Sequence, residues 1–145
     1  MCNFYFYQSS TTKATRPNSM HENQISKVIM QKSIEIHTIL GPGLFESVYE
    51  VALFNELTSF GLKVIKQKEI PAIYKNIDLG LGFRADLIVK DKVIVELKSI
   101  EQVQKVHFKQ VQTYLKLTEI KLGLLINFNC ATLMEGYHRI VNSLD

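Results

Sequence analysis

Arg84-Ala-Asp-Leu-Ile-Val-Lys-Asp-Lys-Val-Ile-Val-Glu-Leu-Lys98 is the stretch on which the reading of this chain turns. Two runs of aliphatic and β-branched residues flank Lys90-Asp91-Lys92, so the stretch predicts a β-hairpin. Side chains two residues apart share one face of a strand, which places Glu96 and Lys98 together. With Asp91 at the centre of a three-residue turn, Asp86 falls opposite Glu96. Directly opposed side chains have Cβ atoms roughly 5 Å apart. Two carboxylates at that spacing repel by about 3 kcal/mol at an effective dielectric of ~20. A divalent cation with Lys98 beside it offsets that repulsion, and the set suits phosphate chemistry. A two-residue turn or a bulge would instead send Asp86 to the opposite face.

The neighbours of these residues matter as much as the residues. Ala85, Leu87, Val89, Val93, Val95 and Leu97 are expected to form one face, with Ile88 and Ile94 on the other beside the charges. Strands apolar on both faces are covered on both sides, so the hairpin belongs at the centre of a sheet. Charges buried there need a partner or a metal. A solvated strand face with a cross-strand ion pair is the commoner outcome for an isolated E-x-K, and the apolar surroundings set this one apart.

Upstream, Ile25, Val28, Ile29, Ile36, Ile39 and Leu40 recur with helical spacing and predict a helix from about Glu22 to Leu40. Gly41-Pro42-Gly43 stops it. A second helix, from about Leu44 to Thr58, is apolar nearly all the way round and is expected to be buried on every side. Glu46 shares a stripe with Leu53 and Leu57, where a carboxylate needs a partner. Gly43 is expected to serve the turn, and Tyr49 to pack in the core with its hydroxyl bonded. Short strands are expected at Leu62 to Ile65, Glu69 to Tyr74, Ile77 to Phe83, Ala85 to Val89 and Val93 to Leu97, with a hairpin turn at Lys75-Asn76. A third helix is predicted from about Glu101 to Thr118, carrying Val103, His107, Gln110 and Tyr114 on one stripe. Leu122 to Phe128 then reads as a strand that pairs in parallel after the helical crossover. Thr132 to Val141 is a final strand or short helix. The fold class is α/β, a mixed sheet flanked by helices.

The 145 residues, 46% hydrophobic and 21% charged, suit one soluble globular domain. Residues 1–19 lack periodicity and are expected to form a flexible extension, with Met20 a candidate alternative start; residues 20–145 form the domain. The net charge of +3 is compatible with a polyanionic partner without establishing one. No apolar run approaches a membrane span. Cys2 and Cys130 are too few for a disulfide framework or a zinc site, so a reducing, cytoplasmic location is expected. There is no G-x-x-x-x-G-K-[ST] phosphate loop, and no Ser-His-Asp or Cys-His grouping stands at a strand–turn–helix junction. His37 and His107 are isolated and read as structural.

Gly43-Leu-Phe-Glu46-Ser-Val-Tyr49 matches the pattern that names the GxxExxY protein family. Arg84-Ala-Asp86, Val95-Glu-Leu-Lys-Ser99, Gln110-Val-Gln-Thr-Tyr-Leu-Lys116 and Leu122-Gly-Leu-Leu-Ile-Asn-Phe128 resemble its later blocks. The resemblance runs from about Met20 to Val141. That family is similar to the PD-(D/E)XK nuclease superfamily, which implies a restriction-endonuclease-like αβββαβ core. It implies Asp86 and Glu96 as metal-binding carboxylates, Glu46 completing the metal shell, and Lys98 orienting or deprotonating the attacking water or stabilising charge on the phosphate. Gln110 and Tyr114 resemble a Q-x-x-x-Y element that contacts substrate. Ala85 stands where the superfamily name has Pro, a position without a metal ligand. All-oxygen ligands favour Mg²⁺ or Mn²⁺. The implied function is hydrolysis of phosphodiester bonds in DNA or RNA. The alternative is a non-catalytic nucleic-acid-binding or protein-interaction module that keeps the fold.

Overall fold

The computed structural model of the chain describes residues 19–144. Residues 1–18 of the expected extension, and Asp145, lie outside the described residues. The elements run α1 (Glu22–Leu40), α2 (Glu46–Phe60), β1 (Val64–Tyr74), β2 (Ile77–Val89), β3 (Val93–Lys98), α3 (Lys105–Thr118), β4 (Leu122–Asn127), a 3₁₀ turn (Leu133–Gly136) and β5 (Tyr137–Val141). The five strands form one sheet in chain order, antiparallel except for the parallel β3–β4 pair. This is the mixed sheet expected from the strand–helix–strand order after the hairpin.

Local chemistry explains most boundaries. His21 and Gln24 form a reciprocal cap at the start of α1, and Gly41 ends it. Gly43 has a φ of 96°, which only glycine adopts freely, and it turns the chain into α2. Tyr49 is fully buried; its hydroxyl donates to Gly41 O at 2.6 Å and accepts from Leu44 N at 3.1 Å. Lys75 and Asn76 both have positive φ, the backbone of a two-residue hairpin turn. The segments expected as four short strands are two long ones, because the exposed polar residues between them sit within one continuous hairpin. The third helix starts four residues later than expected. His107 caps it, its Nδ1 accepting from Gln104 N at 2.8 Å.

Two cores cover the sheet. On one face α1 and α2 bury Ile25, Ile29, Leu53 and Leu57 against Leu87, Val95 and Leu124. On the other, α3 buries Val111 and Leu115 against Ile88, Ile94 and Leu125. The expectation that α2 is buried all round fails: Tyr49, Leu53 and Leu57 are buried, whereas Phe45, Val48 and Val51 are exposed. One side of α2 meets the sheet, and no described element covers the opposite one. Apolar composition alone could not show this. Arg139 fastens β5 to α1 through hydrogen bonds to Ser26 Oγ and Asn23 Oδ1, each 2.7 Å.

The seating of α3 depends on Gly123 of β4. A Cβ there would lie 2.5 Å from Val111 Cγ1, so only a residue without a side chain lets α3 approach this closely. Gly123→Val should destabilise the protein by about 1–3 kcal/mol, because the side chain overpacks the interface. Urea denaturation checks this, and an unchanged midpoint would show that α3 adjusts freely.

Candidate active site

The hairpin register is the one the three-residue turn requires: Val89 pairs with Val93, Ile88 with Ile94 and Leu87 with Val95. The ladder stops there, and side chains take over. Leu97 N donates to Asp86 Oδ2 at 2.8 Å, and Asp86 N donates to Glu96 Oε1 at 3.4 Å. Each carboxylate therefore holds a backbone N–H of the opposite strand, filling the gap where β2 and β3 part. The two acids meet, as the register predicts, although the geometry is not a simple cross-strand pair.

The parting has a cause in β2. Phe83 and Ala85 pack toward α3, whereas Leu87 packs toward α1 and α2. In a regular strand, residues 85 and 87 would share a face. Alternation is broken at Asp86, and the expectation that Ala85 shares a face with Leu87 is corrected. The partner strand flips with it: Val64 faces α1 and α2, while Ile70 faces α3. Pairing keeps one register on both sides, Lys66 with Leu87 and Lys68 with Ala85, and Gln67 between them has a left-handed φ of 50°. Such irregularities re-aim side chains next to functional sites.

Glu96 is only 8% exposed. Burial first, and then the negative charge of Asp86, push its carboxyl up to about 8. Lys98 opposes this rise. The Lys98 ammonium makes no hydrogen bond or ion pair among the described residues, so its charge is uncommitted. The chain leaving β3 is tightly held. Ser99 Oγ donates to Leu44 O at 2.6 Å, and Ser99 N donates to Glu46 Oε1 at 3.3 Å. Buried Asn127 bonds both the N–H and the C=O of Ile100.

Glu46 is thus at the exit of β3, one residue beyond Lys98, and is itself exposed. On α3, Tyr114 stacks on Phe83 with ring centroids 3.7 Å apart. Burial, followed by the charges of Glu96 and Asp86, raises its hydroxyl pKa, which places the ring in the field of both acids. Gln110, one turn earlier, is exposed. Two further residues escaped the sequence reading. Gln67 Nε2 donates to Glu50 Oε2 at 2.8 Å and to Asp86 Oδ1 at 3.2 Å. Glu50 follows Glu46 by one helical turn, a spacing that could have singled it out. Gln67 carries no such signal.

The donor set fits a hard divalent cation. Asp86 and Glu96 supply oxygen donors only, and Glu96 is buried beside Asp86. No group of three or more His, Cys, Asp or Glu side chains among the described residues is gathered to hold an ion. A magnesium-type ion commonly takes one or two carboxylates and completes its shell with water and substrate oxygens.

A mixed sheet flanked by helices, with two carboxylates and a lysine delivered by its central hairpin, defines a restriction-endonuclease-like α/β protein. A family model described as the PD-(D/E)XK nuclease superfamily matches residues 23–140. The chain belongs to that superfamily. No curated protein and no solved structure shows a significant match. Among the described residues, no helix is long and apolar enough to cross a membrane.

Proposed function

We propose that the protein is a nuclease of the GxxExxY type, hydrolysing phosphodiester bonds in DNA or RNA with Mg²⁺ or Mn²⁺. The observation that carries this reading is the buried contact between Asp86 and Glu96, with an uncommitted lysine two residues further along the same strand. Asp86 and Glu96 are the principal ligands. Glu46, which holds Ser99 N at the exit of β3, would complete the shell by moving in when the cation binds. When bound, the cation neutralises the phosphate and favours attack by water.

The chain's own groups do the rest. Lys98 offers a fixed positive charge to the oxygens on which negative charge develops, a stabilisation strongest in a partly desolvated site. It also orients the attacking water. Tyr114 keeps its proton, since burial and the nearby acids oppose ionisation, and so donates a hydrogen bond to a phosphate oxygen. Gln110 contacts the substrate from the preceding turn of α3. Residues 20–145 act as one domain, in a cytoplasmic setting.

The test is cleavage of mixed DNA and RNA substrates with Mg²⁺ or Mn²⁺, run beside Glu96→Ala. Cleavage by the unaltered protein should fall at least a hundredfold in the variant, as for loss of a group that acts on the reacting phosphate. Binding of nucleic acid without metal-dependent cleavage would favour the non-catalytic module instead.

A further inference from the structure

Gln67 has a conformation and a bonding pattern that its place in a strand does not require. It sits within β1, where a non-glycine residue at a φ of 50° is unusual. The ladder has no rung at this position, although it is paired on both sides. Both hydrogen bonds of its carboxamide among the described residues come from one nitrogen and end on carboxylates: Glu50 Oε2 at 2.8 Å and Asp86 Oδ1 at 3.2 Å. The left-handed backbone thus presents an NH₂ group between two acids.

An amide nitrogen satisfies two carboxylates but remains neutral. A divalent cation in that space would use the same oxygens and would also cancel their charge. We propose that Gln67 is a positioning residue that holds Glu50 and Asp86 in the cation-free protein as a neutral placeholder, and that Glu50 joins the cation site when the amide gives way. This rests on the metal-dependent reading above.

Mn²⁺ titration calorimetry on the full chain, with melting temperatures measured with and without Mn²⁺, tests it. Gln67→Met keeps the length of the side chain but removes the donor. Gln67→Gly removes it while easing the left-handed backbone, so one variant remains informative if the other folds poorly. Both should bind Mn²⁺ roughly tenfold more tightly, because no charge-assisted hydrogen bonds need breaking first. Gln67→Met should also melt lower than the unaltered protein without metal, the gap closing at saturating Mn²⁺. Glu50→Gln should weaken binding by about tenfold and abolish the advantage of Gln67→Met.

Equal or weaker Mn²⁺ binding by both Gln67 variants, beside clear binding by the unaltered protein, would overturn the placeholder and leave the metal reading standing. So would an unchanged affinity in Glu50→Gln. Binding by neither the unaltered protein nor any variant would overturn both. Binding only after Gln67 is replaced would support the placeholder directly.

Discussion

Lys98→Met should lower phosphodiester cleavage by roughly a hundredfold to a thousandfold while leaving Mn²⁺ affinity unchanged or slightly improved. The ammonium makes no hydrogen bond or ion pair among the described residues. Its removal therefore breaks no network, and the cost to folding should be small. Its field favours ionised Glu96 but also repels an incoming cation, so the two effects on metal binding oppose each other. In the proposed reaction its effect would have no such compensation, because negative charge would grow on the phosphate oxygens only as the bond breaks. Single-turnover cleavage beside Mn²⁺ calorimetry separates the two. Full activity in Lys98→Met would remove this residue from the chemistry, and parallel losses of metal affinity and cleavage would make it a structural support for the carboxylates.

The second large effect is on stability against pH in the absence of metal. The Glu96 carboxyl ordinarily ionises near 4.5, and in the folded protein it is pushed up to about 8. Between those values the folded state binds a proton that the unfolded chain has released. Stability from this group is therefore full below the ordinary value and is lost as pH rises through the folded one. The loss should reach a few kcal/mol, on the order of one per pH unit across the window. Glu96→Gln removes the titration, so with chelator present the variant should match the unaltered protein near pH 4.5 and exceed it clearly near pH 9. Metal should reverse the ranking, since binding at the proposed site would expel the proton from Glu96 and favour the unaltered protein. Urea denaturation across pH, with chelator or with Mn²⁺, reads both trends. A Glu96→Gln variant less stable than the unaltered protein at high pH would instead mark Glu96 as a structural partner of Lys98 or of the Asp86 backbone.

The parts of the site legible in sequence are those set by neighbours along the chain. The Lys90-Asp91-Lys92 turn implied the pairing of Val89 with Val93, and that register brings Asp86 to Glu96. Helical spacing and the Gly41-Pro42-Gly43 stop marked α1 at Glu22–Leu40. The strand after α3 pairs in parallel with β3, as a helical crossover requires. Tyr49 was legible as a bonded core residue, and His107 as a structural one.

What escaped depends on groups distant in sequence. Ala85 shares strand parity with Leu87 yet faces α3, because alternation breaks at Asp86 and β1 flips together with β2 there. Where the β2–β3 ladder stops, Asp86 and Glu96 accept backbone N–H groups from each other's strands, an arrangement that no periodicity encodes. Gln67 reads as an ordinary polar strand residue until Glu50 from α2 and Asp86 from β2 are brought to its amide. The exposed stripe of Phe45, Val48 and Val51 is equally invisible in a helix apolar all round, since exposure depends on which layer the helix meets. The sequence by itself determined the order of elements, the hairpin register and the acids that meet, because turns and alternation are local rules. Only the tertiary structure decided how deeply Glu96 is buried, which helix carboxylate lies a hydrogen-bonded amide away from Asp86, and which lysine charge is left free, because burial and field strength are properties of what packs around a residue.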